Sequence, residues 1–192
     1  MEGWDPAKDA RTGIYMSNAA HGSAPMRVTA RPGRQHDVPL DCSPDGAQIA
    51  FYRSAGVDPD PQTGGSLWVV KLDGSALRRV VAASSMPAAW ARWSPDGLAI
   101  LFAGQRTAVA GFLRSVRPDG SEIKTLFQGS ADRFPIQPVW SPDGSRVLFC
   151  MDPSNDQFEH PDNALFVMNR DGSGLKVVFD PQGYASMPEW AP

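Results

Sequence analysis

The chain has 192 residues, enough for one ordinary domain with its own core. Its 18 Lys plus Arg against 21 Asp plus Glu give a formal charge of −3, which argues against a nucleic-acid binder, whose phosphate-facing surface needs a basic excess. The apolar share is 42% without a run long enough to cross a bilayer, and 18 Gly with 18 Pro exclude a helical bundle; short strands joined by tight turns tolerate that punctuation.

In chain order, residues 1–12 carry Pro6 and acidic residues and read as an N-terminal extension, with no basic region leading into an apolar stretch and so no readable signal peptide. Gly13 to Asn18 and Met26 to Thr29 read as two strands around the turn His21-Gly22-Ser23. From residue 38 a repeat takes over, the first thing to seek in a chain of this kind. Ser-Pro-Asp-Gly occurs at Ser43, Ser94 and Ser141, roughly 50 residues apart, each time followed by an apolar run ending in Phe51, Phe102 or Phe149. Asp-Gly-Ser follows in the same register at Asp73, Asp119 and Asp171.

Each unit predicts four strands. Strand a ends at Cys42, Trp93 or Trp140. In the turn that follows, Pro presets φ, Asp bonds its own backbone and Gly accepts positive φ. Strand b is the run ending in Phe, a variable loop leads to strand c, and Asp-Gly joins c to d as a hairpin with the type I′ signature. Sheets this small cannot bury their faces alone, so several must stack face to face. The expected fold is all-β, a β-propeller of four-stranded antiparallel blades.

The run Trp140-Ser141-Pro142-Asp143-Gly144, the Val147 to Phe149 strand and the Asp171-Gly172-Ser173 turn resemble the TolB-type β-propeller repeat, a WD40-like Trp-Ser-Pro-Asp-Gly repeat. The likeness extends over about residues 13–192, with Cys42 standing where the repeat has Trp. On this reading residues 13–37 are a partial blade, about 38–86, 87–135 and 136–185 are full blades, and 186–192, with Trp190, is a closing strand. Three full blades plus parts of one more lack one strand b. Two arrangements fit: the C-terminal part of a larger propeller, or a small ring with a defective closing blade. The unpaired backbone groups of an incomplete blade favour the first, and with it self-association or marginal stability through unclosed blade edges.

Chemical motifs are sparse. No Gly-x-Ser-x-Gly elbow is present. His21, His36 and His160 show no metal-ligand spacing. Asp152, Asp156, Glu159 and Asp162 bring hard oxygen ligands into one loop but lack the calcium-loop alternation, and Asp58 with Asp60 reads likewise as a solvated loop. Asp45, Asp96 and Asp143 are explained by turn geometry, and Trp93, Trp140 and Trp190 by packing between sheets. Arg27, Arg31 and Arg34 form a connection before they form an anion patch, and Cys42 and Cys150 are expected as two buried free thiols.

No catalytic, metal or cofactor site is therefore expected, and the binding residues stay unassigned. The resemblance implies a non-enzymatic scaffold with a protein partner, without nucleic acid or membrane insertion, in a periplasmic or extracellular setting. The alternatives are a substrate-gating propeller of a prolyl-oligopeptidase-like hydrolase and a propeller that binds carbohydrate or another small ligand.

Overall fold

The computed structural model describes residues 13–18, 24–30, 35–54, 65–83, 88–106, 109–130, 134–152, 164–179 and 187–191. A short pair, β1 (Tyr15–Met16) and β2 (Met26–Arg27), precedes three sheets. The first holds β3 (Asp37–Cys42), β4 (Gln48–Ser54), β5 (Gly65–Lys71) and β6 (Arg78–Val81). The second holds β7 (Ala88–Trp93), β8 (Ile100–Arg106), β9 (Val109–Val116) and β10 (Lys124–Gln128). The third holds β11 (Phe134–Trp140), β12 (Arg146–Asp152), β13 (Ala164–Asn169) and β14 (Lys176–Phe179). Each is a four-stranded antiparallel meander in chain order, as the repeat predicts.

The a–b turn is held by its serine as much as by Pro, Asp and Gly. The buried Ser94 hydroxyl donates to Asp96 Oδ1 at 2.6 Å and accepts from the Ala99 amide at 2.9 Å. Ser43 and Ser141 accept from the amides of Gln48 and Arg146 at the same distance. The aspartate in turn accepts the amide two residues on, as Asp45 does from Ala47 at 3.0 Å. The sequence reading missed this role of serine, although its recurrence beside Pro-Asp-Gly was visible.

The c–d hairpins differ from the expected type I′. Of the three loop residues only the glycine lies at positive φ, as at Gly172 (φ 89°), and Gly172 N bonds Asn169 O while Asn169 N bonds Ser173 O. That is a three-residue loop, a type I turn closed by a left-handed glycine. The carboxylate explains the preference, because Asp171 Oδ1 accepts the Ser173 amide at 2.9 Å and so holds the aspartate in the type I corner.

Blades stack by a repeated contact. Val80 and Val81 of β6 share a core with Ala91, Trp93, Ile100 and Phe102 of the second blade. Leu126 and Phe127 of β10 lie against Trp140, Val147 and Phe149 of the third. Ile14 and Val28 of the leading pair pack in the same way on Ile49, Phe51 and Val70 of the first. The glycine of each c–d turn rests on strand d of the blade before it: a Cβ would stand 2.9 Å from Val28 O at Gly74, 3.2 Å from Val80 O at Gly120 and 2.5 Å from Leu126 O at Gly172.

Strand a bulges in every blade. Trp90 and Gln137 take the left-handed conformation at φ 49° and 50° within the register shifts of β7 and β11. In β3 that place falls on Pro39, whose ring forbids positive φ, and the extra residue becomes Leu40. Met187 repeats the left-handed step at φ 51°, and its amide donates to Gln137 Oε1 at 2.6 Å. Residues 187–191 nevertheless form no strand, since no strand b lies beside them among the described residues.

Two stability predictions follow from these turns. Gly172→Ala adds a left-handed alanine and drives its Cβ into Leu126 O, so denaturant unfolding should show a loss of at least about 2 kcal/mol. Ala76 and Glu122 already sit at φ 53°, where the third repeat has Gly174 at φ 67°. Ala76→Gly should therefore raise stability by about 0.5–1 kcal/mol in the same measurement.

Candidate functional site

The antiparallel meander places the a–b and c–d turns of the three blades at one end of the stack and the strand ends that lead toward the b–c loops at the other. The turn end carries a groove of ≈ 910 Å³ between the second and third blades. Ala99, Val116, Leu126 and Trp140 supply its apolar surface.

The groove is open because the repeat changes there. Between the first and second blades Arg78 spans the equivalent cleft, donating from Nε to Pro118 O at 2.7 Å and from Nη2 to Gln48 Oε1 at 2.8 Å. One blade on, Lys124 replaces Arg78, Ala99 replaces Gln48 and Arg170 replaces Pro118. The lysine turns to its own hairpin, with Nζ 3.8 Å from Glu122, whose carboxylate also meets Arg117 Nε at 2.8 Å. These exposed pairs contribute no more than about 1 kcal/mol each. They leave a rim of alternating charge.

Arg170 closes one side. Its guanidinium pairs with Asp96 Oδ2 at 2.7 Å across the blade junction and lies over the Trp140 ring, 5.2 Å from the centroid. The Arg170 hydrogen bond, with a further one from Ser94, holds the Asp96 carboxyl well below the usual carboxylate range. Asp96 thus joins two blades as well as shaping its turn, a role that one repeat read alone does not reveal.

Around the inner strands, the Asp41 carboxylate accepts the Trp93 amide at 2.7 Å, and burial raises its pKa against the lowering effect of that bond and of Arg92. Trp140 Nε1 donates to Arg92 O at 3.3 Å. Trp93 and Trp140 are buried and Trp190 half-buried, as sheet packing requires. At the loop end Asp37 grips Arg53 through two bonds of 2.6 and 2.7 Å. The guanidinium also lies over Trp68, 4.8 Å from the ring centroid. This buried clamp ties the ends of β3 and β4 together.

The cysteines depart from expectation: both are free, but only Cys150 is buried and Cys42 is exposed. Cys42 occupies the place from which Trp93 and Trp140 reach the preceding blade, and before the first blade only the β1–β2 pair stands among the described residues. The His36 main chain is tied to Ser54 by bonds of 2.8 and 2.9 Å. Arg27 Nε donates to Thr29 O at 2.8 Å. Arg31, Arg34, His21, His160, Asp58, Asp60, Asp156, Glu159, Asp162 and the Asp152 side chain lie outside the described residues. Among the described residues no three His, Cys, Asp or Glu side chains gather to hold a metal ion, and no helix is long and apolar enough to cross a membrane.

Stacked four-stranded meanders define a β-propeller fold, here of the TolB type. The chain is similar to a structure assigned as TolB from Agrobacterium tumefaciens, with 24% identity, a TM-score of 0.67, and coverage of 89% of this chain and 57% of that one. It is also similar to TolB from Acinetobacter baumannii, with 20% identity, a TM-score of 0.61, and coverage of 88% and 38%. A puromycin hydrolase matches over 83% of this chain and 26% of its own, with 20% identity and a TM-score of 0.60. The chain therefore spans little more than half of the longer-matched TolB structure. No family model matches, and no curated protein matches.

The turn carboxylates set an acid limit. Ser141 and Ser145 hold Asp143 down to about 2, and the Ser43 hydroxyl and the Ala47 amide also lower Asp45. A carboxylate with a depressed folded pKa adds stability above its unfolded value of about 4 and loses it as pH falls through the folded value. Thermal melts should therefore decline from about pH 4 toward pH 2, and Asp143→Asn should flatten part of that decline.

Proposed function

We propose that this chain is a non-enzymatic propeller scaffold that binds a protein partner through the groove between its second and third blades. The observation that carries the reading is the break in the repeat: Lys124, Ala99 and Arg170 open a cleft that Arg78, Gln48 and Pro118 fill one blade earlier. A cleft with apolar walls and a rim of both charge signs suits a segment of another protein, whose backbone and charged side chains find partners there. The same reading makes the chain the C-terminal part of a larger propeller, in keeping with its 57% and 38% coverage of the TolB structures. A second reading, supported by the likeness to puromycin hydrolase, is the substrate-gating propeller of a hydrolase.

A photo-cross-linking residue at Leu98 in the groove, compared in cells with one at the exposed Leu77 of the first blade, tests the first reading. One protein should be captured from position 98 alone, and its purified form should lose affinity for the Lys124→Glu, Arg170→Glu chain at least tenfold. Capture of the same proteins from both positions sinks the proposal. An endogenous polypeptide whose intact mass includes a serine hydrolase domain would instead establish the gating role.

A further inference from the structure

From the first junction between blades to the second, the repeat loses an acceptor and gains a cation. At the first, the Arg78 guanidinium spends its donors within the chain, on Pro118 O at 2.7 Å and on Gln48 Oε1 at 2.8 Å. At the second, Ala99 offers no side-chain acceptor in the place of Gln48, and Arg170 stands where Pro118 does. Lys124 keeps the charge of Arg78, but its Nζ lies 3.8 Å from Glu122, beyond hydrogen-bond reach. Arg170 makes its hydrogen bonds through Nη1, to Asp96 and to Gly144 O, and its Nη2 has no acceptor among the described residues.

The anions of the groove are already engaged. Glu122 is held by Arg117 at 2.8 Å, and Asp171 Oδ1 accepts the amide and the hydroxyl of Ser173 at 2.9 and 2.6 Å. What the groove lacks is therefore acceptors. It also gains apolar surface at its edge, because Leu98 is 63% exposed where the other two a–b turns carry Ala47 and Ser145. Leu126 and Trp140 add to that surface.

Given the groove as a protein-binding cleft, on which this rests, we propose that its occupant is an acidic segment of the partner, with a carboxylate side chain between Lys124 and Arg170 and an apolar neighbour against Leu98. The repeat sets Lys124 opposite Arg170, as it sets Arg78 within 2.7 Å of Pro118 O. A carboxylate accepts charge-assisted hydrogen bonds from an ammonium and a guanidinium at once, so one side chain meets both cations across the cleft. A basic segment would instead bring a further cation against Arg117, Lys124 and Arg170. Since these groups stand at an exposed rim, they govern the choice of partner and the salt dependence of binding more than its total strength.

Three synthetic peptides test this on the full chain: a repeated Leu-Glu-Ser sequence, and the same peptide with Gln or Lys in place of Glu. In NMR spectra at low salt, the Glu peptide should shift the Leu98 amide and the Trp140 indole at a concentration about fivefold below that of the Gln peptide, and the Lys peptide should leave them in place. Raising the salt from about 0.05 to about 0.5 M should erase most of that difference. Lys124→Gln should weaken the Glu peptide about threefold, while Lys176→Gln, at the equivalent place on the third blade, should not. Lys124→Arg with Ala99→Gln keeps the charge but rebuilds the closure found between the first two blades, and should abolish the shifts. Equal or stronger shifts from the Lys peptide, equal shifts from the Glu and Gln peptides, or no shift from any of the three overturn the proposal. Undiminished binding by either Lys124 variant does the same. The protein-binding cleft itself fails separately, by equal capture from positions 98 and 77.

Discussion

A four-stranded sheet of short strands has two faces to bury, and the described residues offer no helix to lay on either. Everything in this molecule depends on that shortage being met by the next sheet. Val80 and Val81 are removed from water by Trp93, Ile100 and Phe102 one repeat later, and Leu126 and Phe127 lie under Trp140 and Phe149. The core is thus a series of interfaces rather than one centre, and each interface needs its two sheets at a fixed separation. The Asp-Gly-Ser glycines set part of that separation, since Gly172 and Gly74 bring their backbone where a Cβ would meet a carbonyl of the preceding blade.

The polar groups serve the same end. Buried serines in the a–b turns satisfy both the aspartate and the amide that begins strand b, so a sharp reversal is held without leaving a buried donor unpaired. Where a polar side chain crosses a junction, its identity sets the form of the junction. Arg78 closes the first cleft, while Arg170 reaches to Asp96 at the second and leaves a groove. Function in a repeat fold concentrates where one unit stops copying another, because identical units can only restate the scaffold.

The contrast between Cys42 and Cys150 makes the same point. Both are free thiols, yet Cys150 falls inside the third sheet while Cys42, in a tryptophan's place, stands in front of a pair of strands that leaves it exposed. The raised pKa of Asp41 also belongs to a junction: its cause is burial beside Trp93 of the following blade.

The sequence by itself determined the β class, the four-strand unit, the order of strands and the position of every a–b and c–d turn, because each rests on local chemistry repeated in register: Ser-Pro-Asp-Gly at 43, 94 and 141, and Asp-Gly-Ser at 73, 119 and 171. The hairpin type was read wrongly as I′, since the same Asp-Gly pair serves either turn and only the hydrogen bond that the Ser173 amide donates to Asp171 decides between them. The groove was not legible either. Lys124, Ala99 and Arg170 lie far apart in the chain and look unremarkable singly, and their meaning arises only where two blades meet. The tertiary structure alone decided which tryptophan is covered, which cysteine faces water and which outer strand is left apolar, because in a stacked fold burial belongs to the neighbouring sheet and not to the residue's own strand.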